Sequence, residues 1–345
     1  MDKKVTIYTL AEELNMTPSM VSRGLSMNGK VSKENREKIL KVAEKYNYTA
    51  NKHASRLSMK TLKIGVLIHS NFKIHVKEML RGIEAAYEEL KDYKIAYDVT
   101  VVYGEEKEKW ECAEELNQYV DYDGVLICGF SHKKCIPMLQ EFYQKNPNIV
   151  QFQSINNHID YLFGSCHNEA LASEMAAEFL SDCLRYKASK NVLLFTGNQE
   201  SSVHSGAMEA FLKAADTYDL HVLECVDMQD SNRILRECLP ALFEKYHNKI
   251  DGIYITSGVS IELCKFVEHY ECCLVTFDIY EELASYIEKR VVLASVFQDI
   301  FKQSKTAFEK FVRYSIDDEQ VDKEIYTNIN LITRSNLHIY TDHNI

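Results

Sequence analysis

The spacing of apolar residues divides the chain near residue 60. Before that point apolar residues recur every three or four positions, as at Leu10, Ala11 and Leu14, which predicts short amphipathic helices without strands. After it, apolar runs alternate with longer amphipathic stretches. That alternation is typical of parallel strands covered by helices. The pattern therefore predicts a small all-α segment followed by a larger α/β region.

Three short helices are predicted between residues 5 and 48. The second should begin after Thr17, because a capping hydroxyl there precedes Pro18, and proline is favoured at the first helical position. The third should begin after the capping hydroxyl of Ser32. Between these helices, Asn28 and Gly29 predict a turn.

Ten strands are predicted beyond residue 62. They are residues 63–68, 96–102, 124–128, 149–152, 191–195, 222–226, 252–255, 274–277, 291–296 and 329–332. Ten strands exceed what one doubly wound sheet holds comfortably, so we predict an α/β fold with two parallel-sheet lobes and a cleft between them. Ligands of such sheets bind beyond the carboxyl ends of the strands.

Charge divides the chain at the same place. Residues 1–63 carry 13 Lys or Arg and 6 Asp or Glu, a net charge of +7, whereas the other 282 residues carry 27 and 45, a net charge of −18. The total of −11 conceals this division. Lys and Arg gain affinity for nucleic acid by releasing counterions from phosphates. A basic segment on an acidic body therefore favours a polyanionic partner for the first sixty residues only.

The composition is that of a soluble globular protein. Hydrophobic residues make up 46% and charged residues 26% of the 345 residues, and no apolar run approaches the length of a membrane span. The first residues lack the apolar run of a secretory signal, so we expect a cytoplasmic protein. The ten cysteines, Cys112 to Cys273, form no Cys-x-x-Cys pair, and we interpret them as buried, reduced thiols without a metal or redox role.

Residues 6–25 have the spacing of a helix-turn-helix motif. In that motif the second helix enters the major groove of DNA with its N-terminal residues toward the base edges, while the first crosses the phosphate backbone. The start of the second helix therefore supplies the candidates for base contacts. They are Pro18, Ser19, Met20, Ser22 and Arg23.

The first sixty residues resemble those of the lac repressor family. The matching segments are Val5-Thr6-Ile7-Tyr8, Leu10-Ala11, Val21-Ser22-Arg23, Val31-Ser32, Arg36-Glu37-Lys38, Asn47-Tyr48, Asn51, Ala54 and Arg56-Leu57. The resemblance implies a dimeric transcription regulator that binds pseudo-palindromic operator DNA. It places DNA contacts at Thr6, Tyr8, Thr17, Pro18, Ser19, Met20, Ser22, Arg23, Ser32, Asn51, Ala54 and Leu57. It also implies a hinge helix at about residues 51–58 that wedges Leu57 into the minor groove and kinks the duplex.

Two residues of this segment depart from the family pattern. Thr9 stands where the family has an aspartate three residues after the cap of the first helix, and we expect it to weaken that cap. Ala50 stands where the family has a proline before the hinge asparagine, so we expect the hinge to order less sharply. Neither departure removes a DNA-contacting group.

The resemblance continues more diffusely through the rest of the chain. The matching segments are Arg81-Gly82-Ile83-Glu84, Asp123-Gly124-Val125-Leu126-Ile127, Val275-Thr276-Phe277-Asp278, Val296-Phe297-Gln298 and Thr333-Arg334-Ser335. They imply an effector-binding core with the fold of periplasmic sugar-binding proteins, in which a sugar or nucleobase lies between the lobes. We divide the chain into a DNA-binding domain at 1–49, a hinge at 50–61 and an effector-binding and dimerisation domain at 62–345. Residues 327–345 carry no leucine heptads, so we expect a homodimer.

Seven residues are candidates for effector binding. They are Asn71, Ser131, His167, Ser202, His204, Asp278 and Gln298. Asp278 matches the family's hydroxyl-binding aspartate, although it is also placed to cap the helix after its strand. Gln298 matches a polar residue of the cleft. Asn71, Ser131 and Ser202 follow predicted strands, where side chains converge on a pocket.

The family's usual pocket is altered at two positions. His167 stands where a lobe-crossing segment usually has an aspartate, and Ala207 where an arginine is expected. The missing arginine would have formed two parallel hydrogen bonds to a ligand. Without it, the way in which the family usually binds a pyranose sugar does not carry over directly to this chain. His167 and His204 remain to supply hydrogen bonds.

Other functions stay open beside a sugar-controlled repressor. A regulator of the same type controlled by a protein partner or a phosphorylated metabolite is one, and an α/β sugar-modifying enzyme is another. The sequence contains no dinucleotide, P-loop, zinc-protease or nucleophile-elbow motif, which favours a regulator without enzymatic activity, cofactor or metal. An exported sugar receptor would need a signal peptide and would leave the basic segment unexplained.

Overall fold

The computed structural model describes residues 5–25, 31–46, 48 and 60–341. The helices are α1 (Ile7–Leu14), α2 (Pro18–Leu25), α3 (Lys33–Lys45), α4 (Lys73–Glu89), α5 (Ala113–Asn117), α6 (Ile136–Lys145), α7 (Glu169–Cys183), α8 (Ser202–Thr217), α9 (Asn232–Tyr246), α10 (Ile261–Val267), α11 (Glu281–Glu288), α12 (Ile300–Asp317) and α13 (His338–Thr341). The strands are β1 (Leu62–His69), β2 (Ile95–Val102), β3 (Gly124–Cys128), β4 (Ile149–Phe152), β5 (Phe163–Cys166), β6 (Asn191–Thr196), β7 (His221–Asp227), β8 (Gly252–Ile255), β9 (Cys273–Phe277), β10 (Val292–Gln298), β11 (Glu324–Tyr326) and β12 (Ile329–Ile332).

The first three helices pack around a small core of their own. Leu10, Val21 and Ile39 are fully buried in it. Helices α2 and α3 approach closely at Gly24, where a Cβ would collide with the Ile39 side chain. The three predicted helices are therefore confirmed.

Both predicted helix starts have the expected caps. The Met20 N–H donates to Thr17 Oγ1 at 3.2 Å, and the Asn35 N–H donates to Ser32 Oγ at 3.3 Å. Each hydroxyl satisfies one backbone donor that the helix itself leaves unpaired.

Thr9 still contributes to the cap of the first helix. The Thr6 N–H donates to Thr9 Oγ1 at 3.2 Å, which is the return bond of a capping box. A weaker cap than the family's aspartate would give stays a prediction. The turn predicted at Asn28 and Gly29, and the departure at Ala50, lie outside the described residues.

Two six-stranded sheets form the two lobes. Lobe 1 has the strand order β11-β5-β4-β3-β1-β2, with every pair parallel. Lobe 2 has the order β12-β10-β9-β8-β6-β7, in which only β12 is antiparallel to its neighbour. The two-lobed α/β fold predicted from the sequence is confirmed.

The chain passes between the lobes three times. It leaves lobe 1 after β5 to form α7, returns after β10 to form α12, and crosses again between β11 and β12. Helix α12 therefore belongs to lobe 1, where Phe308 and Phe311 are buried in the core. It lies against α4 at Gly82, where a Cβ would collide with Ser304 and with the backbone of Phe301. The first two crossings border the cleft at His167 and Gln298.

All ten predicted strands are confirmed, with ends that differ by at most two residues. Strands β5 and β11 were not predicted from the sequence. In β5 a glycine and a serine interrupt the apolar run, although all four residues are buried. Strand β11 is three residues long and mostly exposed at the edge of its sheet, so burial imposes no apolar pattern on it.

The interpretation of all ten cysteines as buried is wrong in part. Five are buried, four are half-buried, and Cys183 at the end of α7 is exposed. The exposed and half-buried thiols lie in elements whose residues partly face solvent. None of the described helices combines the length and apolar character needed to span a bilayer.

Candidate functional site

A cavity of about 150 Å³ lies between the two lobes. The carboxyl ends of strands from both sheets form its walls, as expected for parallel sheets. Lobe 1 contributes His69, Asn71, His75, Lys109, Ser131 and His132. Lobe 2 contributes Glu169, His204, Asp230, Thr256 and Asp278, while His167 and Gln298 come from the segments where the chain crosses between the lobes.

Backbone conformation directs Asp278 into the cavity. It follows β9 directly and has a φ of 66°, a left-handed conformation that aspartate tolerates better than most residues. Its N–H donates to Val296 O at 2.8 Å, and its carbonyl accepts from Ser295 Oγ at 2.5 Å. The neighbouring strand β10 thus holds this residue in place. Asp278 does not cap the next helix, since the N-cap of α11 is Tyr280.

The Asp278 carboxylate is only half satisfied within the protein. Oδ2 lies 3.3 Å from His75 Nε2 of the opposite lobe and 3.5 Å from Gln298 Nε2. Oδ1 is buried and has no hydrogen-bond partner among the described residues. Thr256 Oγ1, which belongs to the same wall, is likewise buried without a partner there. Buried polar atoms without partners are costly, so this wall is suited to a ligand that supplies hydrogen bonds.

His167 is a neutral hydrogen-bonding group in the cavity wall. Burial lowers the pKa of His167 to about 4, although the charge of Asp278 and a hydrogen bond with Gln298 oppose the shift. Its ring packs against Phe277 at 5.4 Å between centroids, and its Nδ1 has no partner among the described residues. At neutral pH it offers a ligand hydrogen bonding without charge.

His204 and Asp230 form an ion pair on the lobe 2 side. His204 Nε2 lies 3.0 Å from Asp230 Oδ2, and Ser257 Oγ donates to Asp230 Oδ1 at 2.7 Å. Burial is the largest single influence and would lower the pKa of His204, but the charge and the hydrogen bond of Asp230, with a smaller contribution from Glu169, together raise the pKa. Burial also opposes ionisation of Asp230, whose pKa is nevertheless lowered by the charge and hydrogen bond of His204. Each group therefore holds the other in its charged form.

Lobe 1 supplies two neutral histidines and one lysine. Burial lowers the pKa of His69, whose Nε2 lies 2.8 Å from the Lys107 carbonyl. Burial lowers the pKa of His132 as well, with a further contribution from the charge of Lys109. The Lys109 side chain is half-buried and forms no hydrogen bond or ion pair with any residue that the structure describes. Across the cavity, burial raises the pKa of Glu169 to about 7, which reduces its negative charge at neutral pH.

Direct contacts between the lobes close one side of the cleft. Ser131 Oγ and Ser201 Oγ, both buried, lie 2.6 Å apart. The Ser202 N–H donates to Ser131 O at 3.1 Å, and the Lys133 N–H donates to Glu200 O at 2.9 Å. The lobes are thus in a closed arrangement around the cavity.

Six of the seven candidate effector residues line the cavity: Asn71, Ser131, His167, His204, Asp278 and Gln298. The seventh, Ser202, does not. Its hydroxyl donates to Ile155 O at 2.7 Å and contributes to the contact between the lobes. Ala207, where an arginine was expected, is part of the cavity wall.

Several lining residues were missed in the sequence. His69 ends β1 and Asp230 lies three residues beyond β7, so the same strand-end argument could have found them. Lys109 and His75 lie on a short 3-10 helix and on α4, and no local sequence pattern distinguishes them. No group of three or more His, Cys, Asp or Glu in the described part of the chain is arranged to hold a metal ion.

The N-terminal helices present most of the predicted DNA contacts to solvent. Thr6, Tyr8, Thr17, Ser19, Ser22, Arg23 and Ser32 are exposed, while Pro18 and Met20 are half-buried. Arg23 Nε donates to Ser19 O at 3.3 Å, which orients the guanidinium along the outer face of α2. Asn51, Ala54 and Leu57, and with them the hinge, lie outside the described residues.

Comparisons with known proteins agree with this architecture. Residues 64–317 match the family model for a periplasmic binding protein domain. The HTH-type transcriptional regulator pepR1 of Lactobacillus delbrueckii subsp. lactis is 23% identical over 341 residues, which cover 96% of this chain and 97% of pepR1.

Solved structures share the two-lobed fold at low sequence identity. The glucose-galactose binding protein GanP of Geobacillus stearothermophilus has a TM-score of 0.72 and 17% identity, with 81% of this chain and 99% of GanP covered. A candidate LacI transcriptional regulator from Bacteroides fragilis has a TM-score of 0.71 and 14% identity, with 81% and 100% covered. The family match spans most of the chain, and this chain belongs to the periplasmic binding protein domain family.

Proposed function

We propose that this protein is a sequence-specific DNA-binding transcriptional regulator of the lac repressor type. In this proposal it acts as a cytoplasmic, homodimeric repressor without enzymatic activity, and a small carbohydrate-like effector in the cavity controls its operator binding. The observation that carries the proposal is the similarity to pepR1, which extends over 96% of the chain and therefore includes both the basic N-terminal segment and the lobes.

The N-terminal helices support the DNA-binding part of the proposal. Residues 1–63 have a net charge of +7, and the outer face of α2 exposes Ser19, Ser22 and Arg23. A short polar helix of this kind fits the major groove, where arginine recognises guanine by two hydrogen bonds. Nearby exposed groups, Thr6, Tyr8 and Thr17, are suited to phosphate contacts.

The cavity supports the effector part. Asp278 Oδ1, Thr256 Oγ1 and His167 Nδ1 are buried polar atoms without partners in the described protein, and a hydroxylated ligand supplies both donors and acceptors for them. A ligand that binds the closed lobes more tightly than the open lobes shifts the population between them. Operator affinity changes with ligand if the two arrangements hold the DNA-binding helices at different spacings.

Control by a protein partner or a phosphorylated metabolite is the alternative. The cavity favours a small molecule over a protein because its unpartnered groups are buried. A phosphate dianion fits less well, because Lys109 is the one lysine or arginine among the described lining residues.

Selection from a random DNA library tests the proposal. The full-length protein should enrich a pseudo-palindromic site. Arg23→Ala should lose about 1–3 kcal/mol of discrimination in a competition assay while salt-dependent background binding survives. Lys41→Ala, which removes a cation from the exposed face of α3, is the matched control and should lower the salt dependence without changing discrimination. Failure to enrich any sequence would contradict DNA recognition, and unchanged discrimination in Arg23→Ala would remove Arg23 from the recognition role.

A further inference from the structure

We infer that the effector is a small hydroxylated carboxylic acid whose carboxylate pairs with Lys109 and whose hydroxyl groups bond to Asp278. This inference rests on the proposed function, since it names the ligand class of the same cavity. It follows from the size of the cavity, the unpaired lysine on the lobe 1 side and the unpartnered oxygens on the lobe 2 side.

The closed cavity limits the ligand to about one ring. Its volume is about 150 Å³, and an engineered protein cavity of similar volume holds benzene. Ser131 Oγ and Ser201 Oγ, which both line the cavity, lie 2.6 Å apart and narrow it on that side. A monosaccharide derivative is therefore favoured over a disaccharide.

Lys109 marks the anionic end of the ligand. Its ammonium forms no ion pair with the described residues, although it lines the cavity and is partly withdrawn from water. Asp230, the acidic residue whose ionisation Lys109 favours, is already bound by His204 and Ser257. The two nearby histidines of lobe 1, His69 and His132, are held neutral. No carboxylate of the described residues pairs with Lys109, so an anionic group of a ligand is stabilised there.

Asp278 marks the hydroxyl-binding side of the cavity, on lobe 2. Its Oδ1, Thr256 Oγ1 and His167 Nδ1 are all buried and unpartnered in the described structure. An ionised carboxylate repels a second carboxylate, so the acid group of the ligand belongs at Lys109 and its neutral donors at Asp278. Hydroxyl groups satisfy all three atoms because each both donates and accepts.

The charges of the two lobes support this orientation. In lobe 2 the negative charge of Glu169 is reduced and that of Asp230 is paired with His204, which leaves Asp278 as the acidic group that faces the ligand, whereas Lys109 belongs to lobe 1. A ligand with its carboxylate toward lobe 1 and its hydroxyls toward lobe 2 bridges the lobes and favours the closed arrangement.

Calorimetric titration of the full chain with matched ligand pairs tests the inference. The pairs are D-galacturonate with D-galactose, D-glucuronate with D-glucose, and D-gluconate with D-glucitol, which differ at one carboxylate. In at least one pair the acid should bind at least about tenfold more tightly than its neutral partner, the difference typical of a hydrogen bond to a charged group. Lys109→Gln should reduce that preference to about twofold or less while the neutral partner keeps its affinity.

Two control variants separate Lys109 from other effects. Lys133→Gln removes a lysine at the edge of the cleft that is paired with Glu200 and does not line the cavity. It should change the affinity for acid and neutral partner equally. Asp278→Asn should weaken every bound member of the panel.

The outcomes distinguish this inference from the proposed function. If neutral sugars bind as tightly as their acids and Asp278→Asn weakens both, the ligand needs no carboxylate. That result would contradict this inference and leave the proposal of a sugar-controlled regulator in place. A preference for acids that survives Lys109→Gln would overturn the role of Lys109. If α-amino acids such as L-glutamate bind more tightly than the hydroxy acids, the inference that hydroxyl groups of the ligand bond to Asp278 would be contradicted. If no member of the panel binds, the hydroxy-acid inference and the carbohydrate effector both fail, while DNA recognition stands or falls by the operator selection alone.

Discussion

The two lobes share a scaffold but differ in the chemistry that they present. Their sheets have the same order, so that β1 to β5 and β11 of lobe 1 correspond to β6 to β10 and β12 of lobe 2. Gln153 follows β4 and Asp278 follows the equivalent strand β9. Both have left-handed backbone, with φ values of 63° and 66°, and both donate their N–H to the next strand of the sheet. The scaffold therefore fixes the position, and the side chain at that position decides the charge.

That difference extends to the whole cavity. Lobe 1 contributes no acidic residue to it, and lobe 2 contributes three. The polar contacts across the cleft show the same difference between the lobes. His75 contacts Asp278, and His132 and Lys133 contact Glu200. The basic or neutral partner lies in lobe 1 in each case. Two lobes with the same fold thus become electrostatically complementary through a few residues at strand ends and in loops.

The largest effect that we expect comes from the loops after β3 and β8, which are equivalent in the two lobes. Gly129 has a φ of 91°, and a Cβ there would collide with the His69 backbone carbonyl. Gly129→Ala should lower the free energy of unfolding by about 3 kcal/mol in urea denaturation. Gly258→Ala in lobe 2 is the control, because its Cβ would meet Asp278 Oδ2 at an ordinary 3.4 Å, and it should cost less than about 1 kcal/mol. Equal losses would show that the two loops are under the same constraint.

A smaller effect, dependent on pH, should distinguish the histidines of the two lobes. The raised pKa of His204 contributes stability that is fully present below the unfolded value of about 6.5 and is lost as pH rises through the folded pKa. The lowered pKa of Asp230 contributes stability above about pH 3.9 that is lost as pH falls. Their side chains are 20% and 24% exposed. His204→Gln should therefore cost about 2 kcal/mol at pH 6 and less at pH 9.

His132→Gln in lobe 1 is the control for that experiment. Because the pKa of His132 is lowered, its charged form is disfavoured in the folded protein, and the wild type loses stability relative to this variant as pH falls below about 6.5. The two variants should thus shift in opposite directions between pH 9 and pH 6. Parallel pH profiles from urea denaturation would contradict the assignment of a charged His204 and a neutral His132.

The smallest effect concerns the contact that joins the lobes. Ser131→Ala or Ser201→Ala removes one partner of a buried hydroxyl pair and leaves the other without its bond. The double variant leaves no orphaned hydroxyl, so a double-mutant cycle of unfolding free energies should give a coupling of about 1 kcal/mol. Ser202→Ala combined with Ser131→Ala is the comparison pair. The Ser202 N–H donates to the Ser131 carbonyl at 3.1 Å, and this backbone bond persists in both variants, so these two losses should be additive. Additive losses in the first pair would mean that the two hydroxyls are not coupled.

The sequence predicted the scaffold better than the site. Long apolar runs such as those of β1 and β3 are required by burial on both faces of a parallel sheet, so they are visible locally. Strand ends also gave Asn71 and Ser131, and the family resemblance gave Asp278. The partners of those residues were not visible, because His75 meets Asp278 only through the approach of two lobes about 200 residues apart in sequence.

One site residue was assigned wrongly for a related reason. Ser202 follows a strand as a pocket residue should, but its hydroxyl donates to the Ile155 carbonyl of the other lobe. The residue type was compatible with several partners, and only the three-dimensional arrangement selects one.

The crossing of the chain into α12 has a consequence for synthesis on the ribosome. The strands β1 to β5 emerge first, but Phe308 and Phe311, which complete the lobe 1 core, follow about 140 residues later. At 5–20 residues per second that interval is roughly 7 to 28 s. Lobe 2, which is continuous from α7 to β10, has nearly all of its sheet before lobe 1 receives its last helix. The half of the molecule that is made first therefore keeps part of its apolar core uncovered until every strand of lobe 2 except β12 has been made.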